Sequence, residues 1–305
     1  MKFNHITGLI AATFSPFSPT GELHTDIIPE YARMLRINGI KGVFINGTTG
    51  EGASLMFDEK KALIAAWAPY QAPDFKVMAM VSGTSQQEGI ALAAYAREHQ
   101  LYGIAVNAPY YIKTGSVEAL VDFIRPIAAA APELAFYFYH IPILTGVNLS
   151  MTSFLQQAGD AIPNFAGIKY THNDLMEFNQ CLRFDNYRYD ILWGWDEMLL
   201  AGLAMGAKGG VGSTYNFAAP LYHELVLQFE AGNSENALAL QEKSIDFIAL
   251  YPRFGGAAAG KAILSFLGIA AGDLRPPGKS LSNNQKNDLF SALQSQGFFD
   301  YCAKV

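Results

Sequence analysis

Cysteine is scarce in this 305-residue chain: Cys181 and Cys302 stand 121 positions apart and match no disulfide or metal-site spacing. Charge is also sparse, at 16% of residues, and no basic block occurs. Lys and Arg number 21 against 27 Asp and Glu, a net charge of −6, which argues against nucleic acid and anionic membranes as partners. No run approaches the ~18 consecutive apolar residues of a membrane span. The N-terminal Lys2 followed by Ile6–Phe14 faintly resembles a signal peptide. That run is short, is broken by Thr7 and Thr13, and leads to no small-residue cleavage site, so it is expected to be a buried first strand. A cytoplasmic enzyme or binder with two ordinary thiols is the simplest expectation.

What is abundant is apolar material, 50% of residues, which excludes disorder and allows a large core. Short apolar runs recur at Thr7–Phe14, Lys41–Asn46, Lys76–Ser82, Gly103–Asn107, Leu134–His140, Ala166–Thr171, Asp190–Trp195 and Lys208–Ser213. Each has the length of a strand buried on both faces. Segments with three- and four-residue apolar spacing lie between them, among them Ile27–Ile37, Glu59–Ala68, Gln86–His99 and Val117–Ala129. Helix starts are expected at Thr84–Ser85, Asp58 and Thr152. Eight such alternations predict an α/β fold, a (β/α)8 TIM barrel over residues 1–232. Residues 233–305, with helical patterns at Glu235–Arg253, Ala257–Leu267 and Asn283–Gln296, are expected to be a C-terminal helical appendage of one domain.

Chemistry in such a barrel belongs at the C-terminal strand ends. The sixth run, Ala166–Thr171, carries Lys169 with no acidic neighbour before Asp174. Burying an ammonium costs free energy, and a lysine that sheds its proton can form a Schiff base with a carbonyl substrate. The alternative is a stem packed inside with its head in water or paired with an acid. In the fifth run, alternation puts Tyr137 and Tyr139 on one face and Phe138 and His140 on the other. Tyr139 is placed to relay a proton or to fill the core, and His140 reads as structural.

Gly47-Thr48-Thr49-Gly50-Glu51-Gly52 is a tight turn whose N–H and hydroxyl groups suit a carboxylate, with Glu51 either an acid or a loop brace. After the seventh run, Gly194-Trp195-Asp196-Glu197 offers two carboxylates to a polyhydroxylated substrate or caps the next helix. Gly209–Tyr215 offers close backbone approach and hydroxyls. Gly255–Lys261 imitates a phosphate loop, but Ala262 replaces the required Ser or Thr and no strand precedes it, so a turn between appendage helices is expected. No His, Cys or Asp cluster has metal-ligand spacing.

Gly47–Glu51, Tyr139 ahead of Ile141-Pro142, and Gly167-Ile168-Lys169 together resemble the pyruvate-dependent class I aldolases of the dihydrodipicolinate synthase and N-acetylneuraminate lyase superfamily. Within it, Tyr139–Val147, Gly194–Glu197 and Gly212–Asn216 are similar to the lyase branch, and Leu144 stands near where the synthases carry an arginine. The resemblance implies Lys169 as the Schiff-base nucleophile and Tyr139 as the proton carrier. It implies Thr48 and Thr49 as carboxylate ligands, with Thr48 also in the proton relay, and Thr171 beside the bond that breaks. Gly194, Asp196, Glu197 and Ser213 would meet the substrate's polyol tail. Tyr111, or its neighbour Tyr110, would reach a neighbouring subunit's relay. A homotetramer with no cofactor or metal, acting on sialic acid, pyruvate and N-acetylmannosamine, is implied as well. Two other readings stay open, a related aldolase or dehydratase of another 2-keto-3-deoxy sugar acid, and a silent sugar-acid binder.

Overall fold

Both faces of each apolar run have something to bury against, and that requirement closes the sheet. The computed structural model describes residues 3–81 and 83–305; Lys2, ahead of the first predicted run, and Ser82, at the end of the third, lie outside the described residues. The strands are β1 (Gly8–Ala12), β2 (Gly42–Ile45), β3 (Lys76–Met80), β4 (Gly103–Asn107), β5 (Ala135–His140), β6 (Phe165–Tyr170), β7 (Asp190–Trp193) and β8 (Gly209–Gly212). They form a closed parallel barrel in chain order, with β8 paired back to β1 from Gly8↔Gly209 to Ala11↔Gly212. This is the predicted TIM barrel. Most of the runs overshoot the strands by one to three residues, because the backbone turns out of the ladder there, as at Asn46 with φ 60°.

The helices are α1 (Ile28–Ile37), α2 (Phe57–Trp67), α3 (Gln86–Glu98), α4 (Val117–Ala129), α5 (Pro142–Thr145), α6 (Met151–Ala161), α7 (Leu175–Arg183), α8 (Leu199–Met205) and α9 (Tyr215–Glu230). Beyond them come α10 (Ser234–Ile248), α11 (Ala257–Phe266) and α12 (Asn283–Ser295). Ser85 caps α3 by accepting the Glu88 N–H. Two expected caps are displaced. Asp58 lies inside the first turn of α2, because Glu59 reaches back to accept the Met56 N–H at 2.8 Å and sets the start there. Thr152 lies inside α6, because Ser150 accepts the Ser153 N–H instead. The predicted helix to Arg253 ends at Ile248, ahead of a 3-10 turn at Pro252–Phe254, since Pro252 cannot continue the ladder.

Alternation sorts the side chains into two layers. Ile10, Phe44, Met78, Tyr137, Tyr139, Leu192 and Val211 fill the barrel. Phe136, Phe138, Ile168, Tyr170 and Trp193 face the helices. At the N-terminal floor, Asp190 Oδ2 accepts the Tyr137 hydroxyl at 2.8 Å and the Ile6 N–H at 3.1 Å. Burial outweighs those bonds and pushes the Asp190 carboxyl up to about 6. Its native proton affinity therefore exceeds that of the unfolded chain, so this group favours folding below pH ~4 and loses that contribution as pH rises through about 6. Asp190→Asn, which retains an acceptor for both donors, should raise stability at pH 8 by about 1–2 kcal/mol and flatten the slope between pH ~4 and ~6. Urea melts across that range measure it, and an unchanged slope would contradict this account of the floor.

Candidate active site

The strand register brings the central residues together. Asn107, Tyr139, Lys169 and Leu192 are successive partners across β4, β5, β6 and β7, so they share one level near the C-terminal mouth. Tyr139 and Leu192 point into the barrel, and Lys169 points with them. Lys169 is 4% exposed, and its Nζ lies 4.0 Å from the Tyr139 ring centroid and 4.2 Å from that of Phe44. The two rings stand edge to face, 5.7 Å apart. Among the described residues no carboxylate is within ion-pair distance of this amine. The head of Lys169 thus sits on aromatic faces inside the barrel rather than in water. Gly167, two residues earlier, permits the β6–β7 approach, since a Cβ there would come 1.8 Å from the Asp190 carbonyl oxygen.

At the end of β6, the Thr171 N–H donates to the His140 carbonyl at 2.8 Å, while its hydroxyl oxygen is buried with no partner among the described residues. Gly194 makes the space for that hydroxyl: a Cβ on Gly194 would lie 1.9 Å from Thr171 Oγ1. Buried polar atoms are almost always satisfied, so this one has a donor or acceptor to gain from a ligand. His140 lies behind the strand. Burial and the neighbouring His172 push its imidazole down to about 3, so it is neutral and serves packing.

Asp196 and Glu197 follow β7 in a 3-10 turn (Asp196–Met198), and neither caps α8. Asp196 reaches across to β8 instead. Its Oδ2 accepts both the N–H (2.7 Å) and the hydroxyl (2.6 Å) of Thr214. Its Oδ1 lies over Gly212, where a Cβ would approach to 1.8 Å. Burial raises the carboxyl to about 6 against the pull of the Thr214 donors, with Glu197 adding to the rise and Lys169 opposing it. Glu197 and Ser213 are half-buried beside it.

The β2 turn is closed by Glu51 N–H to Thr48 O at 3.0 Å and Gly52 N–H to Gly47 O at 2.9 Å. Gly52 has no room for a Cβ, which would meet the Asn46 carbonyl oxygen at 1.9 Å. Thr48 is exposed on the wall of a cavity of about 710 Å³, and Thr49 is half-buried. That cavity is also lined by Met80, Asn107, Tyr110 and Thr145 and by the appendage segment Leu274–Gly278; Lys169, Tyr139 and Asp196 do not line it. Glu51 braces the turn: Lys261 pairs with it at 2.8 Å and the Arg275 N–H donates to it at 2.9 Å. Lys261, the lysine of the phosphate-loop imitation, also donates to the Asp273 carbonyl at 2.8 Å, so it is engaged inside the protein. Tyr111 stands apart from Lys169 on the β4–α4 loop, 86% exposed, with Ile112 exposed beside it.

Sequence reasoning missed three contributors here. Phe44, the second face over Lys169, was legible as an inward residue of β2. Tyr222 and Ser244, behind Thr214, gave no signal, because hydroxyls on helices α9 and α10 look like ordinary core positions.

The Dihydrodipicolinate synthetase family matches residues 5–296. The chain belongs to that family. The N-acetylneuraminate lyase of Mus musculus is 38% identical over 277 residues, 89% of this chain and 87% of the mouse protein. That of Rattus norvegicus is 36% identical over 97% of this chain and 94% of its own. The solved structure of N-acetylneuraminate lyase (sialic acid aldolase) from Aliivibrio salmonicida superposes with a TM-score of 0.94 at 36% identity, covering 97% of this chain and 98% of that one.

Gly212 and Asp196 should prove energetically coupled if this family member's β8 is shaped around the carboxylate. Gly212→Ala should cost about 1–3 kcal/mol in the native background and distinctly less in an Asp196→Ala background. Equal costs in both backgrounds, by urea denaturation, would mean that the glycine serves strand packing alone.

Proposed function

We propose that this chain is an N-acetylneuraminate lyase, a class I aldolase that reversibly cleaves N-acetylneuraminate to N-acetylmannosamine and pyruvate. The observation that carries the reading is a buried amine, Lys169, seated on the Tyr139 ring inside a barrel whose relatives of this name match along nearly the whole chain. Lys169 Nζ attacks the C2 keto carbon of the open-chain sugar acid, and loss of water leaves a protonated Schiff base. Tyr139 takes the proton of the C4 hydroxyl. The C3–C4 electron pair then flows into the iminium, N-acetylmannosamine departs as an aldehyde, and the adduct remains as an enamine. Protonation at C3 and hydrolysis release pyruvate and free the lysine.

The remaining roles are those that membership of the family suggests. Thr48 and Thr49 hold the substrate carboxylate in the β2 turn and connect Tyr139 to a proton relay, which carries the phenol's own proton away as it takes that of the C4 hydroxyl. Thr171 offers its unpartnered hydroxyl beside the breaking bond, across from Gly194. Asp196, Glu197 and Ser213 accept hydrogen bonds from the polyol tail. Tyr111, exposed in one chain, completes the relay of a neighbouring subunit in a homotetramer. The condensed lysine is itself the electron sink, so neither metal nor organic cofactor takes part. The enzyme works in the cytoplasm on small molecules, without nucleic acid or membrane, and residues 233–305 belong to the same domain as the barrel.

Borohydride reduction in the presence of pyruvate should leave a stable pyruvyl adduct on Lys169, read by intact mass and peptide mapping. Lys169→Ala should lose the adduct and at least about a thousandfold in turnover. Absence of adduct from folded wild-type protein in excess pyruvate would remove the aldolase reading. Substitution of Asp196 by Asn or Glu197 by Gln should lower kcat/KM for nine-carbon substrates about 10–100-fold while leaving adduct formation from pyruvate intact. Equal losses on long and short keto acids would make the pair structural.

A further inference from the structure

Thr214 has one hydroxyl proton and two oxygen neighbours. Asp196 Oδ2 lies 2.6 Å from its Oγ1, and the Tyr222 hydroxyl lies 2.7 Å from it on the other side. Tyr222 in turn sits 2.7 Å from the Ser244 hydroxyl. The three are buried, with Tyr222 and Ser244 at 0% exposure. A carboxylate is the stronger acceptor, so the Thr214 proton goes to Asp196. Tyr222 must then donate to Thr214, and Ser244 to Tyr222. The result is a one-way row of O–H donors from α10, through α9, to a single carboxylate oxygen.

The same helix holds the backbone of the site. Gln241, one turn before Ser244, accepts the Leu200 N–H at 2.8 Å and donates to the Asp196 carbonyl at 3.3 Å. The Asp196 carbonyl is therefore bound from the appendage and its Oδ2 from the turn before α9. Oδ2 is saturated by Thr214, and only Oδ1, over Gly212, is left to face a ligand.

We propose that Tyr222 and Ser244 are positioning residues for substrate choice, fixing Asp196 as an ionised, single-oxygen acceptor for one hydroxyl of the polyol tail. This rests on the reading of Asp196 as a tail-binding residue. The titratable groups that face Asp196 are Lys169 from β6, Glu197 on its own turn, Tyr215 and Tyr222 from α9, and Tyr251 beyond α10. Among them Lys169 favours the carboxylate, whereas Glu197 disfavours it. The Thr214 donors oppose the upward push of burial on the acid, and loss of the Tyr222 or Ser244 hydroxyl behind Thr214 is expected to loosen them and raise the acid's proton affinity further.

The test compares wild type with Ser244→Ala, Tyr222→Phe and Asp196→Asn. It measures kcat and KM for N-acetylneuraminate from pH 5 to 9, and pyruvyl adduct formation on Lys169. In the two relay variants KM should rise about three- to tenfold, with kcat within about twofold. The acid limb of kcat/KM should move to higher pH, and adduct formation should be unchanged. Ser244→Ala removes a single atom and answers the question if Tyr222→Phe does not fold. Relay variants that lower only the melting temperature, with KM and the acid limb of the wild type, would overturn the proposal. If Asp196→Asn raises KM while the relay variants do not, the relay alone falls. If Asp196→Asn leaves KM unchanged, the tail-binding reading falls and the relay with it.

Discussion

A primary amine enclosed in a barrel, with aromatic faces where an acid would ordinarily sit, is the constraint on which the rest of this protein depends. Lys169 reaches that position because β6 pairs residue by residue with β5 and β7, which sets it level with Tyr139 and Leu192. The faces of Phe44 and Tyr139 lie about 4 Å from its nitrogen. Such faces stabilise a cation less than a neighbouring carboxylate would. A closed sheet keeps bulk water from supplying what the aromatics withhold.

Two buried acids divide the barrel's two ends. Asp190 at the floor and Asp196 at the mouth are both driven upward by burial, and both are held by hydroxyl and backbone donors. Their surroundings differ in what remains open. Asp190 is tied to Tyr137 and to the strand leading into β1, a knot that joins β5, β7 and the N-terminal segment. Asp196 is tied on one oxygen only, with the other lying over a glycine at the mouth. The same chemistry closes one end and equips the other.

The appendage is part of this economy of loops. Lys261 and the Arg275 backbone hold Glu51 and with it the β2 turn, while Arg275 also forks onto Glu59 at the start of α2. Gln241 and the Tyr222–Ser244 pair hold the turn after β7. Loops at a barrel mouth carry few buried apolar contacts of their own, so rigid placement has to come from outside. Here it comes in large part from residues that follow the barrel in the chain, Gln241, Ser244, Lys261 and Arg275.

By itself the sequence determined the eight strands and their parallel closure and singled out Lys169 on the sixth, because burial on both faces writes period and length directly into short apolar runs. It also marked Asp196, Glu197, Thr48 and Thr171, since each lies within a few residues of a strand end. Helix starts at Asp58 and Thr152 were misplaced because Glu59 and Ser150 accept backbone N–H groups nearer the N-terminus and start each helix earlier. Tertiary structure alone decided which acids are braced and which are offered. Glu51 and Lys261 are 210 positions apart, and Asp196, Tyr222 and Ser244 come from three separate elements, with Thr214 on the turn before α9. Hydrogen bonds between such positions leave no periodic trace in the chain, because each partner satisfies its own helix or strand pattern and meets the other only after the barrel has closed.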